Sequence, residues 1–237
     1  MRKVFLAVAT AGLMAVGSGT VAAAVITSTF TASGVTDTFS QQGTAVFSFD
    51  MADLSSFTVT LTDNVSPTAD ILSELDGLTF GFSQAPATIQ LTGITPLGGV
   101  IDCTNSTSPC PSGTGSFPYG WGTTFSGGAL SLAAGFDSGT NTFAHQPFGI
   151  VNTNYTAPGG STGLSSAENN PLLVGPVTFT FAITGLQDVP QIMGVSFAFG
   201  TRPVDLPAVA AVPEPQSLAL LGAALLAGWV LRRKRRA

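Results

Sequence analysis

Ser56-Phe57-Thr58-Val59-Thr60-Leu61-Thr62 sets Phe57, Val59 and Leu61 at every second position, with hydroxyl residues between them. Successive side chains of a strand point to opposite faces, so this run has one apolar and one hydroxyl face. Residues 176–183 repeat the pattern, with Val177, Phe179, Phe181 and Ile183 on the apolar side. Weaker alternation predicts further strands over 25–32, 44–51, 78–83, 88–94, 119–125, 129–136 and 194–199, punctuated by glycine and proline. Sustained helical periodicity is absent between the two ends. The pattern predicts an all-β fold, an antiparallel β-sandwich of jelly-roll or immunoglobulin-like type.

The 17 phenylalanines make such a core feasible, because each ring hides a large apolar area. The expected core comprises Phe47, Phe49, Phe57, Val59, Leu61, Phe80, Phe82, Leu130, Leu132, Phe179, Phe181, Val195, Phe197 and Phe199. One segment breaks the strand habit: in 67–77, Ile71, Leu72 and Leu75 recur at helical spacing before Gly77. A short helix capped by Thr68 is expected there. Long loops are expected around 104–118 and 152–170, and a proline-spaced linker over 202–212.

The two ends differ from the body. Arg2 and Lys3 precede an apolar stretch, and Ala22 and Ala24 supply the small-residue pattern of a signal peptidase site. Residues 1–24 therefore read as a signal peptide with a helical apolar core, cut after Ala24, and 25–201 as the β domain. At the other end stand Pro213, Glu214 and Pro215, an uncharged apolar run over 217–231, and the cluster Arg232, Arg233, Lys234, Arg235 and Arg236. The run reads as a transmembrane helix of about 22 Å, short of a hydrocarbon core of ~30 Å unless the arginines snorkel. Cations stay on the cytoplasmic side, so the domain before the helix faces outward, as the signal peptide also requires.

Charge is partitioned. Between Val25 and Val212 twelve acids face Arg202 alone, a balance of −11 within a chain whose total is −5. Such a surface has no cations to neutralise phosphates, which argues against a nucleic-acid partner.

The order of Pro213-Glu214-Pro215, apolar run and basic cluster over 213–237 resembles the PEP-CTERM sorting signal of exported bacterial proteins, the substrates of the membrane enzyme exosortase. Related tails are also grouped as an ice-binding protein C-terminal domain, a label that describes the tail. The resemblance implies transient anchoring in the inner membrane, processing near the motif by exosortase after signal peptidase has acted, and transfer to the cell surface or extracellular matrix. It also implies a non-catalytic structural or adhesive role in exopolysaccharide or biofilm, with no cofactor. A secreted carbohydrate-binding module and a secreted hydrolase are the alternatives.

Other candidates carry chemistry of their own. Cys103 and Cys110 are the only cysteines, and in an exported chain their turn-rich interval favours a disulfide over free or metal-binding thiols. His145 is the sole histidine, read as a loop residue rather than a general base or metal ligand. Asp50, Asp53, Asp63, Asp70, Glu74 and Asp76 crowd one interval. They suit calcium, but no known loop spacing is present, and turn and cap roles are favoured; nothing sets two at a glycosidase separation. Tyr119, Trp121 and Phe125 would stack on sugars if exposed and would pack as core if buried. The Thr-x-Thr runs suggest an ice-binding ladder only if repeated, and no solenoid period occurs.

Overall fold

The protein is described here from a computed structural model, which covers residues 24–36, 39–104, 110–115, 118–137, 142–143, 147–155, 164–200 and 206–210. The long strands are β1 (Val25–Thr36), β2 (Phe39–Asp50), β3 (Asp53–Asp63), β4 (Leu75–Phe82) and β5 (Thr88–Pro96). Shorter pieces follow: β6 (Val100–Ile101), β7 (Gly122–Ser126), β8 (Ala129–Ala133), β9 (Phe136–Asp137), β10 (Thr142–Phe143), β11 (Ile150–Val151) and β12 (Leu172–Val174). The last are β13 (Val177–Thr184), β14 (Ile192–Phe199), β15 (Leu206–Pro207) and β16 (Val209–Ala210).

One sheet runs β16-β1-β2-β3-β13-β5, antiparallel throughout. The second runs β15-β14-β4-β11-β12-β6, with β8 also on β4 and β7 on β8. β9 and β10 form a separate pair. The first three strands make a meander within one sheet, an order that differs from the immunoglobulin arrangement and from paired Greek keys.

The two stretches with the clearest alternation are neighbours. Phe57 stands opposite Phe181, Val59 opposite Phe179 and Leu61 opposite Val177, so their apolar faces form one surface. The second sheet covers it: the Phe47 and Phe80 rings meet edge-on at 4.8 Å, and Phe57 meets Phe82 at 5.8 Å. All fourteen expected core residues are buried. Burying one such ring contributes roughly 1.5–3 kcal/mol, so this aromatic layer holds the two sheets together. The β7–β8 hairpin turns on Gly127 and Gly128, both at positive φ, as a two-residue turn matched to strand twist requires.

Two expectations are corrected. Residues 67–77 hold no α-helix: a single 3₁₀ turn, Ile71–Ser73, is capped by Asp70, which accepts from the Leu72 amide at 2.9 Å. Thr68 is committed elsewhere, and from Leu75 onward the backbone pairs with β14, β11 and β8, which outweighs a weak local helical pattern. The expected linker is partly sheet. Leu206 and Pro207 pair with Phe197 and Ser196, and Val209 and Ala210 with Thr31 and Phe30, so this segment edges both sheets. Leu206, Ala208 and Ala210 pack on the core at alternate positions, and Pro207 is tolerated because its strand is an edge.

Among the described residues no helix is long and apolar enough to cross a membrane. The expected signal helix and the transmembrane helix over 217–231 lie outside them.

Candidate functional site

The outer face of the first sheet is built from the residues between the core positions. Across it run two registered rows: Thr29, Val46, Thr60, Thr178 and Thr95, then Thr27, Ser48, Thr58, Thr180 and Gly93. Thr31, Thr44 and Thr62 form a third. The Thr60 and Thr178 hydroxyls lie 2.9 Å apart. These rows carry no charge, and the first two span five strands, presenting methyl and hydroxyl groups together. A single strand pattern in the sequence does not reveal this width, because it depends on β3 and β13 pairing in register.

The acids separate into two groups. Asp50 and Asp53 each accept an amide two residues on, from Ala52 at 2.8 Å and Ser55 at 2.9 Å, and Asp70 caps its turn. These are turn and cap roles. Asp63 is buried, taking the Thr68 hydroxyl at 2.7 Å and the Val65 amide at 2.9 Å. Burial pushes it up to about 7 against those hydrogen bonds.

Glu74 and Asp76 have neither role. Both are buried, and none of their four carboxylate oxygens has a hydrogen-bond partner. Leu75 between them points into the main core, so strand alternation sends the two acids to the opposite face, beside Gly149. A Cβ on Gly149 would overlap both carboxylates, so its missing side chain is what admits them. Asp76 also marks a fork. Leu75 pairs with Ile150 of β11 and Gly77 with Ala133 of β8, while the β14 register slips between Ala198 and Phe199. The Ala134 amide takes the Asp76 carbonyl at 2.8 Å and the Gly200 amide the Glu74 carbonyl at 3.0 Å, which leaves the side chains to find other partners. Burial holds both carboxyls well above the usual carboxylate range. For Glu74 the neighbouring Asp76 charge adds to it; for Asp76 the influence of Glu74 and the Gly200 amide opposes it without meeting hydrogen-bond geometry. A pair sealed in this way cannot touch a polysaccharide, which removes it as a glycosidase acid pair. Among the described residues no three acidic, cysteine or histidine side chains converge to hold a metal.

Cys103 and Cys110 are joined in a disulfide. The bridge packs into a second small core with Ile71, Ile101, Val151, Leu164, Leu172 and Val174, on the outer side of the second sheet. Asn170 ties it down, accepting from the Cys103 amide at 2.8 Å and donating to the Ser166 carbonyl at 2.8 Å.

Trp121 is buried, tilted against Phe179 at 4.7 Å with its indole N–H on the Phe148 carbonyl at 2.9 Å, so it offers no face to a sugar. Tyr119 is half-buried against Phe148 and precedes β7 at positive φ. Phe125 alone of the three is exposed. Ala24 is exposed, and β1 begins at Val25 immediately after it. His145, Ala22, Pro213, Glu214, Pro215 and the cluster from Arg232 to Arg236 lie outside the described residues.

A family model described as the PEP-CTERM protein-sorting motif matches residues 211–236. The chain carries a PEP-CTERM sorting signal. The match takes in Pro213-Glu214-Pro215, the apolar run and the basic cluster, about a tenth of the sequence, and leaves the β domain unassigned. The PEP-CTERM motif implies an exported protein with exosortase as its processing partner, held at the membrane by its tail and then passed to the surface. No curated protein and no solved structure shows a significant match to the chain.

Proposed function

We propose that this PEP-CTERM protein is a non-catalytic, adhesive component of the extracellular polysaccharide matrix, and that its threonine face is the surface that meets neutral polysaccharide. The observation that carries the reading is the set of charge-free rows through Thr60 and Thr178 on a domain that is otherwise strongly acidic. Hydroxyls and methyls at strand spacing match the mixed polar and apolar character of a sugar chain, and a rigid sheet displays them without loss of side-chain entropy on binding. The non-catalytic part is supported by the burial of Glu74 and Asp76 and by the disulfide that occupies both thiols.

Two steps complete the reading. The signal peptide is removed after Ala24, leaving β1 to begin at the new terminus, and the tail is cut near Pro213-Glu214-Pro215. Intact mass of the mature chain from cells with and without exosortase tests the second step. Loss of Ala237 only where exosortase is present is expected, and Ala237 retained in both would refute it. Co-sedimentation with neutral matrix polysaccharide tests the adhesive face. A Thr60→Lys, Thr178→Lys variant that folds is expected to bind at least tenfold more weakly, since each lysine interposes a strongly hydrated cation; unchanged binding would reject the face.

A further inference from the structure

Glu74 and Asp76 place four solvent-excluded, unpartnered oxygens on one side of Gly149. No lysine, arginine or histidine occurs among the described residues to act as their counterion, and the basic side chains between Val25 and Val212, Arg202 and His145, lie outside them. Two protons or one divalent cation would neutralise the two carboxylates. One divalent cation meets both charges at once and supplies all four oxygens with a partner.

The geometry points to a buried cation site formed by Glu74 and Asp76 over Gly149, suited to Ca²⁺. The donors are hard oxygens, which select calcium or magnesium over zinc. Magnesium keeps several waters in a strict octahedron, whereas calcium accepts bidentate carboxylates and main-chain carbonyls in irregular geometry. The two acids flank the fork at Asp76, where β4 changes partner from β11 to β8, and the Glu74, Asp76 and Gly149 carbonyls there are taken by the Gly200, Ala134 and Leu173 amides, so the carboxylates are the donors the site offers. An ion there joins Glu74, which precedes β4, to Asp76 within it, beside β11, and stabilises the branch point of the second sheet. Asp50, Asp53 and Asp70 take no part, since each already serves its own turn.

The test uses the mature chain recovered from the exporting cells, stripped with EGTA and unfolded thermally at pH 7. Saturating Ca²⁺ is expected to raise Tm by about 5–10 °C, and equal Mg²⁺ by less. Terbium(III) bound in place of calcium should keep few coordinated waters, read from its luminescence lifetimes in H₂O and D₂O. The Glu74→Gln, Asp76→Asn double variant should lose the calcium response and be at least as stable as wild type in EGTA. If that variant fails to fold, the terbium measurement on the wild type decides. A Tm indifferent to calcium and EGTA would overturn the site, as would terbium that keeps most of its waters or a calcium shift retained in the double variant. Loss of stability in Arg202→Gln with no calcium response in wild type would assign the neutralisation to that arginine, and equally reject the cation.

Discussion

Thr68 donates its hydroxyl to Asp63 Oδ2 at 2.7 Å and accepts from the Asn152 amide at 2.9 Å, with both side chains closed to solvent. The Asn152 side chain returns to the Asp63 carbonyl at 2.7 Å, so one end of the sandwich is tied by a network around a carboxyl whose titration sits near 7.

That value sets a pH dependence. Between the unfolded value near 4 and the folded value of about 7, the native state holds a proton that the unfolded chain has lost. Stability therefore falls as pH rises across this window and levels off above it, by at most about 4 kcal/mol from this group. Urea unfolding at pH 4.5 and 7.5, in EGTA, should show the decline in wild type. Asp63→Asn should show a smaller one, and parallel declines would reject the assignment.

Gly149→Ala should be costly even though the residue sits in a short buried strand connection. Its Cβ meets the Glu74 and Asp76 carboxylates in a space with no exit, and overpacking of that kind costs about 1–3 kcal/mol. Gly127→Ala is the control: its φ is +61°, but nothing lies within 4 Å of the added carbon, so only backbone strain of about 1 kcal/mol is expected. Chemical denaturation of both variants measures the difference, and a Gly149→Ala protein as stable as wild type would contradict the crowding.

Phe57 is the hinge of the aromatic layer, stacked on Phe49 at 5.0 Å and Phe181 at 4.8 Å and edge-on to Phe80 and Phe82. Phe57→Ala should cost about 3–5 kcal/mol, because rigid strands on both sides prevent collapse into the cavity. Phe125→Ala, at an exposed ring touching only Phe82 among these, should cost about 1 kcal/mol or less. Equal losses would mean that the layer is looser than the ring geometry indicates.

Much of this was legible from local pattern. Alternation in Ser56 to Thr62 places Phe57, Val59 and Leu61 inward whatever strand lies beside them, since pleating sends neighbours to opposite faces. The same logic misses β11 and β12, which are two and three residues long and buried on both sides, so Ile150, Val151 and Leu172 to Val174 show no alternation. It also misreads Leu206 to Ala210 as linker, because β1, the strand on which Val209 and Ala210 pair, lies far away in the chain and two-residue strands show no alternation.

The amino-acid sequence by itself determined that the body is an antiparallel β protein with a phenylalanine core, and that its tail is a sorting signal. Period two, composition and the order of motif, apolar run and arginines are all local properties. Only the tertiary structure decided which acids matter. Asp50, Asp53, Asp70, Glu74 and Asp76 look alike in the chain, yet the first three keep an amide partner within two residues while the last two are buried unpaired against Gly149. The physical reason is that burial and the loss of partners are set by segments that meet only when the second sheet forks at Asp76.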